Sequence, residues 1–258
     1  MTKAKVIGPC HICGTNGPLS FEHIPPAAAF NDRKVLLADT NKLFNGNFLN
    51  EIENPRGTEI QRGSGSYTLC PSCNSKTGSW YAASYVDLVH SAIPYCYKLE
   101  SEANAKFLVR TKPLNFLKQI LTMFCSACPP DFAAKNPKLV RYLLNKESRD
   151  GPFPAIRVFL ALFDIKKSLA TRQSGITGRL NFQTKQRNIY SEIAFPPFNL
   201  VMTLNSPAPD NRLTEITFFN EFEYNQIATI NLNLYSFAVV SAYPADYRTK
   251  DRITKSTI

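Results

Sequence analysis

The sequence predicts an α+β protein: a small cysteine-stapled motif, then a pair of helices, then a mostly antiparallel sheet. Three observations predict it. Two Cys-x-x-Cys knuckles, Cys10-His11-Ile12-Cys13 and Cys70-Pro71-Ser72-Cys73, bracket the N-terminal part. Apolar residues then recur at helical spacing from 113 to 147, interrupted by Pro129-Pro130. From 154 to 243 the pattern is strand-like, cut by Pro, Asn, Asp and Gly turns. The chain has 258 residues, 44% of them hydrophobic and 19% charged, which is globular composition and enough length for a real core. Residues 1–95 are read as one domain and 96–258 as a second, of unassigned role.

The elements follow in order. Each knuckle is a tight turn, with Gly14 and Pro71 favouring the bend. Between them, residues 27–66 are rich in Asn, Gly and Arg (Phe44-Asn45-Gly46-Asn47, Asn54-Pro55-Arg56-Gly57) and read as a long loop. Trp80, Tyr81, Tyr85, Val86, Leu88, Val89 and Ile93 predict a helix from Asn74 that Pro94 ends. Phe116–Phe124 and Pro137–Asn145 predict the helical pair. Ile156–Phe163, Phe198–Leu204, Leu213–Phe219 and Ile227–Tyr235 predict strands.

Bulk properties narrow the function classes. No apolar run approaches the roughly 20 residues that span a bilayer. The first eight residues carry two lysines and no apolar stretch behind them, so no secretory leader is expected and the protein is placed in the cytoplasm. In that reducing compartment seven cysteines point to metal ligation or buried thiols. A formal charge of +10 favours a polyanionic partner, nucleic acid above all.

Two knuckles supply four thiolates, a closed tetrahedral set that suits structural Zn²⁺ and leaves no open catalytic position. Between them lies Leu19-Ser20-Phe21-Glu22-His23-Ile24-Pro25-Pro26. A carboxylate beside an imidazole offers an oxygen ligand and a proton acceptor at adjacent positions. Asn74, directly after the second knuckle, offers a further oxygen for a hard cation such as Mg²⁺.

Together, Cys-x-x-Cys, Glu-His-Ile-Pro-Pro and Leu-Cys-Pro-Ser-Cys-Asn with Gly78 beyond resemble the cysteine-rich branch of the HNH endonucleases. The resemblance covers residues 10 to about 85. It implies a ββα-metal fold of two strands and a helix around one catalytic divalent ion. By position it implies Glu22 and Asn74 as ligands of that ion and His23 as the general base. Cys10, Cys13, Cys70 and Cys73 match the zinc ligands. The family usually places a base-orienting Asn before the second knuckle. Here that stretch is Gly63-Ser64-Gly65-Ser66-Tyr67, so a main-chain carbonyl of Gly65 or Ser66 is expected to hold the imidazole instead.

Two functions follow from this reading. The first is a one-metal endonuclease acting on double-stranded DNA. The second is a non-catalytic zinc-stapled nucleic-acid-binding module. The trio Glu22, His23 and Asn74 favours the first, because binding alone does not require it. Lys166, Lys167, Arg172 and Arg179 fall in a stretch without acids, read either as a solvated face or as phosphate contacts; Lys76, Lys112 and Arg62 are further candidates. His11 is read as exposed or as a stray phosphate contact rather than a ligand, and His90 as structural. Cys125 and Cys128 form a third Cys-x-x-Cys pair, read as buried at a helix end with a competing zinc half-site as the alternative; Cys96 is read as buried. Tyr67, Trp80 and Tyr81 are read as core aromatics.

Overall fold

The computed structural model describes residues 5–37, 57–168, 170–180, 185–238 and 240. Residues 38–56, just under half of the loop expected at 27–66, lie outside the described residues.

Strands β1 (Ile7–Pro9) and β2 (Asn16–Pro18) form an antiparallel hairpin whose turn is the first knuckle. Gly14 closes that turn at φ 74°, a conformation that suits glycine. Strand β3 (Ser20–His23) pairs antiparallel with β6 (Gly65–Leu69), and the small hairpin β4 (Val35–Leu37) and β5 (Thr58–Ile60) lies between them in sequence. Helix α1 (Pro71–Thr77) starts at the second knuckle with Cys70 as its N-cap and proline in its first turn. A π-helical turn, Gly78–Ala82, leads into α2 (Ala83–Lys98).

Helix α2 does not stop before Pro94, as the sequence predicted; it continues through it to Lys98. The residues beyond the proline still have partners to bury against. Tyr95 meets Phe107 edge to face at 5.0 Å, and the Cys96 thiol donates to the Pro197 carbonyl at 3.3 Å. Strand β7 (Asn104–Thr111) follows, an element the sequence reading had not singled out. The helical region holds α3 (Pro113–Ala127), α4 (Asp131–Ala134) and α5 (Pro137–Leu144). All of α3 except its last residue is buried, which explains why its sequence is apolar on more than one side.

The remaining strands are β8 (Ile156–Phe163), β9 (Arg172–Gln173), β10 (Thr177–Leu180), β11 (Arg187–Phe195), β12 (Phe198–Leu204), β13 (Thr214–Glu215) and β14 (Ala228–Phe237). They build an eight-stranded sheet with main order β10-β11-β12-β8-β14-β7, β9 pairing with β11 and β13 with β8. Every pairing is antiparallel except β14 with β8. The predicted strand Leu213–Phe219 shrinks to two residues followed by a 3-10 turn, Thr217–Glu221. Ile216, which caps that turn, and Phe219 within it are buried, and their three-residue spacing is the 3-10 period.

One buried cluster runs through the chain, from Cys10, Ile12, Ile24 and Leu69 to Phe116, Leu160, Phe198 and Leu232. Residues 1–95 and 96–258 therefore share a core. Among the described residues no helix is long and apolar enough to cross a membrane.

Candidate functional site

The knuckle turns bring four sulfurs together. The ligand atoms of Cys10, Cys13, Cys70 and Cys73 all lie within 4.8 Å of one another. Cys13 and Cys70 have their sulfurs 3.9 Å apart, close to the edge of about 3.8 Å that a tetrahedron with ~2.3 Å zinc–sulfur bonds requires. The Cys10 thiol is held well below its usual range by a hydrogen bond from Cys73, whose own proton is correspondingly retained. A thiolate already favoured inside a ring of thiols is a donor set that could hold a metal ion such as zinc. Cys10 and Cys73 are buried and Cys13 is exposed, so the cluster sits at the surface of the core. Among the described residues it is the only cluster of three or more Cys, His, Asp or Glu ligands.

Beside it, β3 and β6 form an antiparallel pair that runs through the second knuckle into α1. A register shift separates Ser20 from Phe21; beyond it, two-residue alternation sets Glu22 on one face of β3 and Phe21 and His23, whose rings meet at 5.0 Å, on the other. Asn74, in α1, donates its amide nitrogen to Ser20 Oγ at 3.0 Å and to the Phe21 carbonyl at 3.4 Å. Those bonds fix which way the amide points and leave Oδ1 as its unengaged atom among the described residues. Glu22 is 8% exposed, and burial alone pushes its carboxyl up to about 7. No hydrogen bond or ion pair to it is found among the described residues. A desolvated carboxylate without a donor has most to gain from a cation.

His23 donates from Nε2 to the Arg62 carbonyl at 2.8 Å. The expected main-chain orienter exists, but it is Arg62 rather than Gly65 or Ser66, which face β3 as ladder partners. With Nε2 carrying the proton, a neutral imidazole keeps its lone pair on Nδ1. The Arg62 guanidinium stacks 3.9 Å from the Phe21 ring centre and donates to Tyr67 Oη at 2.7 Å. Tyr67 is 38% exposed, so it is part of this surface cluster and not the core aromatic expected from sequence.

Three residues that sequence reasoning missed brace this end of the hairpin. Buried Asn31 donates to the Pro25 and Ser64 carbonyls at 2.6 and 2.7 Å and accepts from the Ser64 amide at 2.6 Å. Gly63 sits at φ 88°, and a Cβ there would lie 2.0 Å from the Asn31 carbonyl oxygen. Gln173, on β9, donates to the Ile24 carbonyl at 2.6 Å and to Ser64 Oγ at 2.7 Å. An isolated Asn, Gly or Gln carries no spacing signal, because each gains its meaning only when the loops meet.

The other candidates are scattered. Lys166 and Lys167 pair with Glu100 and Glu102 at 2.9 and 3.1 Å, so the basic stretch is already compensated at one end. Arg172 is half-buried on β9, and Arg179 donates to the Val240 carbonyl at 3.0 Å. Lys76 is exposed two residues beyond Asn74, roughly 200° around α1 from it. His11 is half-buried rather than exposed, its Nδ1 3.2 Å from the Cys125 carbonyl, which ties the first knuckle to the end of α3. His90 stacks on Phe30 and bonds the Ala28 carbonyl, as a structural histidine does. Cys125, Cys128 and Cys96 are buried as expected, and Tyr81 is a core residue with its hydroxyl on the Leu143 carbonyl. Comparison with protein-family models, with curated proteins and with solved structures finds no match to this chain.

Proposed function

We propose that the protein is a metal-dependent endonuclease of the HNH type, hydrolysing phosphodiester bonds in double-stranded DNA. The observation that carries the reading is the hairpin and helix around His23. A histidine is oriented by the main-chain carbonyl of Arg62, on a strand whose opposite face carries buried Glu22 and to which the Asn74 amide is pinned at Ser20 and Phe21. An antiparallel strand pair leading into a helix, beside four cysteines that could bind a metal, also supports this reading.

In this reading His23 Nδ1 takes the proton from the attacking water, while Nε2–H on Arg62 keeps the ring in that tautomer and transfers no proton. Glu22 and Asn74 Oδ1 are the residues that would hold a divalent ion, whose charge would stabilise the phosphate and the leaving 3′ oxygen. The Arg62 guanidinium, held by Phe21 and Tyr67 without a carboxylate partner among the described residues, adds positive charge beside the base. The tetrad, as a structural zinc site, keeps the second knuckle and hence Asn74 in register with β3.

The test is plasmid cleavage by the purified protein with and without Mg²⁺ or Mn²⁺, alongside His23→Ala. Cleavage should need the divalent ion, and His23→Ala should bind DNA as the parent does yet cut about 10² to 10⁴-fold more slowly. Equal cutting by His23→Ala overturns the mechanism. Tight binding without cutting by the parent would favour the non-catalytic module.

A further inference from the structure

Beyond Tyr95 and α2, strands β7 and β14 form a ribbon that stands apart from the rest of the sheet. They pair antiparallel from Asn104 with Tyr235 to Thr111 with Ala228, and β8 joins β14 only at Ser236 and Phe237. The inner face carries Phe107, Val109, Ile230, Leu232 and Leu234, all in the core. The outer face presents exposed Lys106, Leu108 and Arg110 from β7, opposite exposed Asn233, Asn231 and Thr229 from β14.

A polar outer face is ordinary for a ribbon buried on one side. The content of this one is less ordinary. It holds two cations and no acid, and among the described residues neither Lys106 nor Arg110 has an ion-pair partner. Its remaining polar side chains are three amides, Asn104 at one end among them, and a hydroxyl, and an exposed leucine, Leu108 at 69%, sits opposite Asn231.

We propose that this ribbon face reads base edges in the major groove of duplex DNA. The inference rests on the nuclease reading for its choice of partner and adds how that partner's sequence would be recognised. The major groove is about 12 Å wide and admits a two-stranded ribbon. Outward residues on one strand recur every ~6.8 Å. That is close to two base-pair steps of about 3.4 Å. The face therefore meets every second base pair. At its centre Asn231 matches the paired donor and acceptor of adenine, while Leu108 beside it meets the methyl group of the partner thymine. Arg110 and Lys106, one outward step away on either side, match the two acceptors of guanine. The face selects a central A·T pair flanked by G·C pairs two steps away on each side. Charge complementarity with the phosphates comes from the same two cations in a chain with 30 basic and 20 acidic residues.

The experiment is selection from duplexes with a randomised segment, using the full chain without added divalent ion so that binding is read without cleavage. Asn231→Ala and Arg110→Ala are compared with the parent, and thermal melts check that both fold. The parent should enrich the A·T centre and its flanking G·C pairs. Asn231→Ala should lose the central preference by about tenfold while its affinity for random duplex stays within a few-fold, and Arg110→Ala should relax one flank. A parent that binds duplex DNA with no base preference, or an Asn231→Ala variant with an unchanged preference, overturns the ribbon inference and leaves the nuclease reading intact. Tighter binding to duplex RNA overturns it too, because the A-form major groove is too narrow for a ribbon. A parent that binds no nucleic acid overturns both.

Discussion

Lys118 lies in the middle of α3, fully buried, and its substitution gives a stability change that can be worked through from the structure. Its amine donates to the carbonyls of Asn145 and Lys146 at 2.8 and 3.0 Å, just past α5, and lies 4.2 Å from the Tyr142 ring centre. Burial pulls the amine down from 10.5 to about 7. A neutral amine has two N–H groups for the two carbonyls, so losing the proton breaks neither bond. The unfolded chain holds that proton up to its ordinary value, so between about pH 7 and 10.5 it binds more protons than the folded chain, and stability rises with pH. Over that whole interval the gain is about 5 kcal/mol, and from pH 7 to 9.5 about 3 kcal/mol. The contribution is complete above the unfolded value and lost as pH falls through the folded one. Lys118→Met removes two part-buried hydrogen bonds at a pH-independent cost of roughly 1 kcal/mol each. The readout is therefore the slope: urea melts at several pH values in this range, parent against Lys118→Met. The parent curve should climb relative to the variant. Parallel curves would refute the reasoning, and would mean that Tyr142 and the carbonyls keep the ammonium charged.

Three further outcomes are expected. Cys73→Ser should abolish tightly bound metal in elemental analysis and loosen the N-terminal part, since thiolate sites of this kind contribute on the order of 10 kcal/mol to folding; a variant with unchanged metal content would count against the tetrad. Gly63→Ala forces the Arg62–Ser64 turn away from the Asn31 carbonyl, so DNA cleavage should fall at least about tenfold with DNA binding intact, in line with the cost of a misplaced general base. Equal cutting would show that Arg62 does not set the imidazole. Replacing Lys166 and Lys167 with Gln should change the slope of log affinity against log salt by well under the roughly 0.9 per lost phosphate contact, because Glu100 and Glu102 already compensate them; a full loss of nearly two would mean the pairs open on DNA.

The sulfur cluster was legible because four thiols at doubled spacing are a strong and local signal, and the structure puts them within reach of one ion. The helical pair and the strands at 156, 198 and 228 were legible from periodicity for the same reason. Strand β7 was passed over although Phe107, Val109 and Thr111 alternate inward, since alternation with lysine, leucine and arginine outside is faint. The run through Pro94 and the 3-10 turn at 217 follow from what those residues bury against, which a local pattern does not contain. Asn31, Gly63 and Gln173 define the neighbourhood of His23 through contacts between segments distant in sequence, so no spacing along the chain announces them.

The bond from Gln173 to Ile24 spans 149 positions. During synthesis the hairpin that carries His23 leaves the ribosome long before β9 exists. Its far end therefore takes final shape only after more than half the chain has been made and the sheet has docked. An N-terminal fragment, or a product truncated before β9, would hold Glu22, His23 and Asn74 and still lack the Gln173 brace on Ile24 and Ser64. Under the proposed nuclease reading, such late completion would leave truncated products without a set general base.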